Sequence, residues 1–303
     1  MDQQEVESYK KAGVIASEIR EFMRDYIKPG MKLYDIAVKV DGMIKESGAE
    51  PAFPLGLSID KVAAHFTPTS TDEDVAEGLL KFDIGVCIDG YIADTAMTLD
   101  LTEDNQHKDL VELNEKVMED LIENIKPEIK ISKIGDVVEA TVEEYNEKSD
   151  KKISIIRGLS GHQVAQNKIH AGLTISNYKN SSNAVFSDIA IAVEPFLTAG
   201  NGEIHEGKGG GIYILKSEEK PRDRDARKVL EYIKENYKTR PFCMRWLEAA
   251  GFDKLRFIFS SLERQGIIYQ YPLLIERSGK AVSQIENTFV ATDSGVIVTT
   301  LIG

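Results

Sequence analysis

The stretch KFDIGVCIDGYIADTAMTLDL, residues 81–101, decides the fold. Two runs of apolar, β-branched and aromatic residues flank Asp89-Gly90. A dipeptide of this kind is typical of a two-residue turn, so the stretch predicts an antiparallel β-hairpin. In that register residue 85 pairs with residue 94, and residue 83 pairs with residue 96. Asp83 and Asp94 then lie diagonally on one face of the hairpin, about 7 to 8 Å apart at the backbone.

The two aspartates are out of place in a hairpin that is otherwise typical of a buried one. A buried carboxylate loses its hydration, and this is unfavourable unless another group neutralises the charge. Gly85 and Ala96, which pair with the aspartates, are small and leave space beside each carboxylate. Two acids that converge on such a space indicate a cation site, or a pair in which one acid stays protonated.

Composition excludes several classes of protein. The chain has 303 residues, and its 50 acidic against 37 basic side chains give a net charge of −13, which argues against a general or specific DNA-binding protein. The two cysteines lie far apart, and the N-terminal MDQQEVESYKK does not resemble a signal sequence, so we expect a reduced, cytoplasmic protein. No apolar run approaches the roughly 18 to 20 residues that span a bilayer, so we expect no membrane partner.

A weak internal repeat divides the chain into two related halves. NIKPEIKISKIGDVVEATVEEY (124–145) matches YIKPGMKLYDIAVKVDGMIKES (26–47) at an offset of 98 residues, with Ile134 over Ile36 and Val138 over Val40. In each copy apolar residues recur at helical spacing after a Lys-Pro turn. We therefore expect an α+β fold in which two helical layers each pack against antiparallel strands.

Residues 216–270 have a different character. They contain three helical patterns with few strand signals, and their 13 basic and 9 acidic residues give a net charge of +4, which leaves about −17 for the remainder. The helical patterns are DRDARKVLEYIKENY, RPFCMRWLEAA and FDKLRFIFSSLERQG. This segment is interpreted as a helical insertion in a mixed sheet fold.

Three further polar residues stand in apolar or glycine-bounded settings: His162 in LSGHQVAQ, Glu194 in AIAVEPF and Glu286 in SQIENTF. Together with Asp83 and Asp94 they form a set of four carboxylates and one imidazole, which suits two divalent metal ions and balances their charge. Water between two such ions is acidified from a pKa near 15.7 towards 7, so the set also predicts a hydrolytic centre.

At this point the sequence resembles a known family. The motifs AAHFTP, FDIGVCIDGYIADTA, GHQVAQNKIHAG, VEPF and QIENTF, in this order, resemble the methionine aminopeptidases of the pita-bread fold, over essentially the whole chain. The resemblance is to the archaeal form of type 2. It implies a pseudo-twofold antiparallel sheet covered by helices, with a pita-bread catalytic domain in residues 1–205 and 271–303. Residues 206–270 would be the winged-helix-like helical insertion.

The resemblance also implies roles for individual residues. The metal ligands would be Asp83, Asp94, His162, Glu194 and Glu286, with Asp94 and Glu286 bridging two ions, which can be Co, Mn, Fe, Ni or Zn. Catalysis would rest on Glu194 as the proton shuttle and on His65 and His170, which bind substrate and stabilise the tetrahedral intermediate. The apolar walls of the methionine pocket would be Phe53, Ile169, Phe196 and Tyr271.

The predicted function is removal of the initiator methionine from nascent chains with a small second residue, by a metal-bridged hydroxide. The resemblance favours a monomer. One alternative is a proline-specific peptidase of the same fold, of the aminopeptidase P or prolidase type, against which stands the lack of a large N-terminal domain. Another is a pita-bread scaffold that binds RNA or the ribosome. The basic insertion could also contact the ribosome transiently, through Arg222, Arg224, Arg227, Lys228 and Arg245. The alternative is that these residues form an ordinary solvated helical surface.

Overall fold

In a computed structural model, which describes residues 1–301, the chain folds into α-helices and antiparallel β-strands. The helices are α1 (Gln3–Tyr26), α2 (Leu33–Glu46), α3 (Lys108–Asn124), α4 (Ser132–Lys148), α5 (Arg224–Asn236), α6 (Met244–Ala249) and α7 (Leu255–Arg264). The strands are β1 (Glu50–Pro51), β2 (Gly56–Ile59), β3 (Val62–Ala64), β4 (Leu79–Ile88), β5 (Tyr91–Asp100), β6 (Ser154–Ile155), β7 (Ser160–Val164), β8 (Thr174–Ser176), β9 (Ala190–Val193), β10 (Phe196–Thr198), β11 (Ile204–Leu215), β12 (Ile268–Glu276), β13 (Val282–Gln284), β14 (Asn287–Thr292) and β15 (Gly295–Val298).

The predicted hairpin is strands β4 and β5. Gly85 pairs with Asp94 and Asp83 pairs with Ala96, so the predicted register is confirmed. Asp89 and Gly90 both have positive φ, +53° and +89°, as a two-residue turn that follows the twist of the strands requires.

The internal repeat corresponds to two matching helix pairs. Helix α1 ends at Tyr26 and α3 ends at Asn124, an offset of 98 residues (124 − 26), and each is followed by a Lys-Pro turn and a second helix. The aligned residues Ile36 and Ile134, like Val40 and Val138, are fully buried. The two helical layers predicted by the repeat are therefore confirmed.

Each helix pair covers its own sheet. Helices α1 and α2 pack on the sheet of β1, β4, β2 and β5, and helices α3 and α4 pack on the five-stranded sheet β15-β14-β9-β7-β8 together with β10. The two halves join where β5 meets the segment before β14, through a bridge between Ala96 and Glu286. The pairing brings strand β5 of the first half directly beside strand β14 of the second.

The insertion extends from a pair of long strands. Strand β11 pairs with β12 from Ile204 opposite Glu276 to Leu215 opposite Ile268, and helices α5, α6 and α7 lie between these strands in the chain. The helices surround their own buried cluster, which includes Val229 and Phe259. Strand β12 also pairs with β3. The predicted boundaries at residues 206 and 270 fall inside the continuous strands β11 and β12.

Among residues 1–301 no helix combines the length and the apolarity needed to cross a membrane.

Candidate active site

Five potential metal ligands from strands and strand ends meet at one cavity. Asp83 and Asp94 come from the β4–β5 hairpin, His162 from the middle of β7, and Glu194 and Glu286 from the residues just after β9 and just before β14. Strand β9 pairs with β7 on one side and with β14 on the other. His162 therefore lies opposite Ala192, and Asn287 lies opposite Val193. The cavity is lined by Phe53, Pro54, Gly56, Ala64, His65, Asp83, Asp94, His162, Ile169, His170, Glu194, Ile212, Pro241, Tyr271 and Glu286.

The donor atoms are close enough to share ions. Ligand atoms of Asp94, His162 and Glu286 all lie within 4.8 Å of one another. The Nε2 atom of His162 lies 3.7 Å from Oδ2 of Asp94 and 3.8 Å from Oε1 of Glu194. On the far side, the amide of Gln284 donates to Asp83 at 3.3 Å and to Glu194 at 3.4 Å. Four carboxylates and one imidazole therefore form a single cluster.

Three carboxylate oxygens of the cluster remain available as metal ligands. Within residues 1–301 the buried oxygens Oδ1 of Asp83, Oδ1 of Asp94 and Oε1 of Glu286 have no hydrogen-bond partner. Buried polar atoms are nearly always paired in folded proteins, so unpaired acceptors at one point indicate a site that binds a cation. The donor set of carboxylate oxygens and imidazole nitrogen fits a divalent metal.

Electrostatics point the same way. Desolvation raises the pKa of Asp83 to about 7, and it raises the pKa values of Asp94, Glu194 and Glu286 well above the ordinary range, with repulsion between the carboxylates adding to the effect. Desolvation and the nearby His170 lower the pKa of His162 to about 3. Divalent cations remove the cost of ionising these acids, so metal binding and deprotonation are coupled here.

Two histidines line the cavity without approaching the carboxylates as His162 does. Nδ1 of His65 lies 3.0 Å from the backbone oxygen of Pro272, and because a carbonyl only accepts, Nδ1 carries the proton and Nε2 is left as an acceptor. His65 has a positive φ of +72°, unusual for a residue with a side chain. The ring of His170 stands edge-on to that of His162, with 4.4 Å between centroids. Desolvation lowers the pKa values of His65 and His170, so both are neutral at pH 7.

Apolar side chains close the cavity. The ring of Phe53 lies against Gly85, where a Cβ atom would be 2.2 Å from the ring carbon Cε1. Phe53 therefore occupies the space beside the hairpin that the small residue leaves, next to the Asp94 position. Ile169 and Tyr271 also line the cavity, and the Tyr271 ring lies 5.3 Å from that of His65.

Phe196 is not among the residues that line the cavity, so its place in the methionine pocket stays a prediction. Its side chain is buried with Ala63, Ile156, Leu159 and Val282. Residues alternate between the two faces of a strand, and Phe196, two residues beyond Glu194, is separated from it by a break between β9 and β10 at Pro195. The break reorients Phe196 towards a different core.

Some residues that contact the carboxylates or line the cavity were not predicted. Gln284, two positions before Glu286, donates to two of the carboxylates, and the period of two along an extended segment is a signal that could have identified it. Ile212 and Pro241 come from strand β11 and from the insertion, more than 100 residues beyond the hairpin. No local pattern in the sequence marks them.

Comparison with known proteins gives consistent results. Residues 7–293 match metallopeptidase family M24. The chain is 38% identical over 302 residues to the methionine aminopeptidase of Methanocaldococcus jannaschii, covering 98% of this chain and 99% of that protein.

Solved structures share the fold. A thermophilic Arx1 has a TM-score of 0.81 at 18% identity, over 99% of this chain and 91% of that chain. The methionine aminopeptidase of Thermotoga maritima has a TM-score of 0.69 at 20% identity, over 100% of this chain and 98% of that chain. These likenesses confirm the predicted pita-bread fold.

Proposed function

This chain belongs to metallopeptidase family M24, and on that premise we propose that it is a methionine aminopeptidase, which hydrolyses the bond after an N-terminal methionine. The observation that carries the proposal is the convergence of four carboxylates, one ligand histidine and two neutral histidines in a cavity with apolar walls. Full-length similarity to an archaeal methionine aminopeptidase supports the same substrate.

We propose that Asp83, Asp94, His162, Glu194 and Glu286 hold two divalent metal ions, of Co, Mn, Fe, Ni or Zn. When bound, such ions act as Lewis acids that acidify water and polarise the scissile carbonyl. The unpaired oxygens of Asp83, Asp94 and Glu286 support this assignment. The bridging roles of Asp94 and Glu286 are part of the same proposal.

The side chains of the site have separate roles in proton transfer, in stabilising the transition state and in substrate binding. Glu194 has a raised pKa and lies beside His162, so it is suited to take a proton from the attacking water at a carboxylate oxygen and to deliver it to the leaving amine. Nε2 of His65 is an acceptor and can hold the amide N–H of the scissile bond, and neutral His170 can donate to the oxyanion. Phe53, Ile169 and Tyr271 contact the unbranched thioether side chain.

The decisive experiment compares two peptides on protein reconstituted with each metal. We expect release of methionine from Met-Ala-Ser, in proportion to bound metal, and no cleavage of Ala-Pro dipeptide. A small second residue is expected because the bound N-terminus fixes the backbone and leaves little room beyond it. Cleavage of the proline peptide with no action on Met-Ala-Ser would contradict the proposal and favour the prolidase-type alternative.

We further propose a monomeric, cytoplasmic enzyme that contacts the ribosome transiently through its insertion while nascent chains emerge. Four basic residues on the surface before and along α5 support the contact: Arg222, Arg224, Arg227 and Lys228 are exposed. Arg245, which the sequence grouped with them, is buried and bonded to Asp41, so it is not part of this surface. Cosedimentation with ribosomes should be lost at high salt and in an Arg224→Glu, Arg227→Glu variant.

A further inference from the structure

The helical insertion supplies part of the cavity wall. Pro241, in the link between α5 and α6, lines the cavity together with Ile212 of β11. The residues that follow them, Phe242 and Tyr213, exchange two backbone hydrogen bonds of 2.8 Å. The link and the strand therefore form one continuous wall that faces the catalytic half.

Arg240, immediately before Pro241, fastens this wall to the opposite one. Its side chain is 2% exposed, and it donates to the backbone oxygen of Pro51 at 3.0 Å and to that of Asn236 at 2.9 Å. It also pairs with the carboxylate of Glu50. Asn236 is the last residue of α5, and Pro51 stands two residues before Phe53. One guanidinium thus connects an insertion helix to the strand that leads into the facing wall.

A neighbouring contact fixes a third wall. The hydroxyl of Thr239 donates to the backbone oxygen of Asn167, which lies two residues before Ile169 in the loop that also carries His170. Residues 239–241 therefore contact the segments that carry Phe53 and Ile169, and Pro241 lines the same cavity as those two side chains.

The chemistry of arginine suits this task. A planar fork of donors can hold two carbonyl oxygens and a carboxylate in fixed directions, which a lysine cannot do with a single ammonium. An apolar side chain of the same length would fill the volume but would leave the oxygens of Pro51 and Asn236 without this donor. The buried charge is thus a means of fixing geometry more than of adding apolar contact.

We propose that Arg240 is a positioning residue that sets the width of the substrate cavity between the insertion and the catalytic half, and so sets selectivity for the N-terminal side chain. The inference rests on the proposed function and extends it. It assigns to the insertion a part in choosing unbranched methionine over branched side chains.

The test compares Arg240→Met and Arg240→Lys with the wild type on Met-Ala-Ser and Leu-Ala-Ser. For Arg240→Met we expect KM for Met-Ala-Ser to rise about tenfold, kcat to change less than about threefold, and the preference for Met over Leu to fall about tenfold. Metal content should stay at the wild-type value. Arg240→Lys keeps the charge and should show a smaller change in the same direction, and it carries the test if Arg240→Met does not fold.

Arg245→Met is the matched control. Arg245 is equally buried and also ties the insertion to the catalytic half, through Asp41, Thr67 and Pro68. Thr67 and Pro68 follow His65 in the chain, so these contacts hold the segment of a cavity histidine and not the segments of Phe53 and Ile169. We expect it to lower Tm, and kcat through His65, while the Met/Leu ratio stays unchanged.

An unchanged KM and Met/Leu ratio in both Arg240 variants overturns the proposal. An equal loss of selectivity in Arg245→Met also overturns it, because general loosening would then be the cause. A wild-type protein inactive on Met-Ala-Ser contradicts the proposed function itself. An active wild type with unaltered Arg240 variants contradicts only this inference.

Discussion

The first half of the molecule, with helices α1 and α2, and the second half, with α3 and α4, repeat the same helix pair but supply different chemistry. The first half delivers Asp83 and Asp94 from one hairpin, 11 residues apart in the chain (94 − 83). The second half delivers His162, Glu194 and Glu286 from separate segments that span 124 residues (286 − 162). Local pairing therefore fixes one set of the proposed ligands, and tertiary packing fixes the other.

The largest effect on activity is expected when one buried, proposed ligand is removed from each half. Asp94→Asn and Glu286→Gln preserve shape but delete a charge that we assign to both metal ions. Each should lower kcat/KM by about 10³-fold or more, which corresponds to about 4 kcal/mol of transition-state stabilisation. Kinetics, metal content and thermal unfolding should be measured together.

Both variants should stay folded, because a neutral amide relieves the repulsion that raises the pKa of the remaining acids. Asp104→Asn, at an exposed position, is the control and should keep wild-type activity. Activity of Asp94→Asn within tenfold of the wild type would remove it from the metal site.

The scaffold symmetry is tested with Ile36→Ala and Ile134→Ala, aligned residues that are both fully buried. Each should reduce the free energy of unfolding by about 2 to 5 kcal/mol, because a large apolar side chain leaves a cavity. If the halves are equivalent supports, the two losses should agree within about 1 kcal/mol in denaturant titrations, given the usual spread of such measurements. If only one of the two substitutions lowers the free energy of unfolding, the two halves do not contribute equally to stability.

The two non-ligand histidines come one from each half, and they sharpen the comparison of chemistry. His65→Ala and His170→Ala should each lower kcat/KM by roughly 10² to 10³, as expected for the loss of one group that stabilises the transition state. Bound metal should stay unchanged in both, measured by elemental analysis. Metal loss in His170→Ala would mean that the second half supplies a further ligand, since its ring touches that of His162.

The pH dependence of stability in the metal-free protein separates the contribution of Asp83, in the first half, from that of His162, in the second half. Asp83 has a folded pKa of about 7, so the folded state keeps a proton that the unfolded state releases from about pH 4 upward, and stability falls as pH rises to 7. The effect is about 1.4 kcal/mol per pH unit for one group. His162, with a folded pKa of about 3, acts oppositely and adds stability as pH rises from 3 to 6.5.

Above pH 6.5 the histidine no longer contributes, but burial lowers the pKa of Lys81 to about 7, and this group adds stability as pH rises above 7. Lys81 is common to the metal-free and the metal-loaded protein, so the difference between their Tm values reports the carboxylates. We expect this difference to widen in favour of the metal-loaded protein between pH 6.5 and 8. A constant difference over this range would show that the acids are already ionised without metal.

Sequence reasoning succeeded where structure is local. The Asp-Gly turn fixed the register of β4 and β5, and with it the relation of Asp83 to Asp94. The helix repeat was equally readable. In α1, however, the buried face does not follow apolarity, because Val14 is 48% exposed whereas Ala12 and Ala16 are buried. Small residues let the helix approach β5 closely, and apolarity alone does not reveal that preference.

Reasoning failed where contacts join distant segments. The bond from Arg240 to Pro51 crosses 189 positions, and Arg245 reaches Asp41 across 204. Periodicity shows neither, so both arginines were counted only as charges of the insertion. Periodicity also does not show where Phe196 packs, because the break at Pro195 separates it from β9.

The pairing of Leu215 with Ile268 has an evolutionary consequence. The 52 residues between them leave and re-enter the sheet at neighbouring positions (267 − 216 + 1), so a short hairpin turn can replace them without changing the path of any other strand. Such a segment can be gained, lost or exchanged in a single genetic event while the protein remains folded.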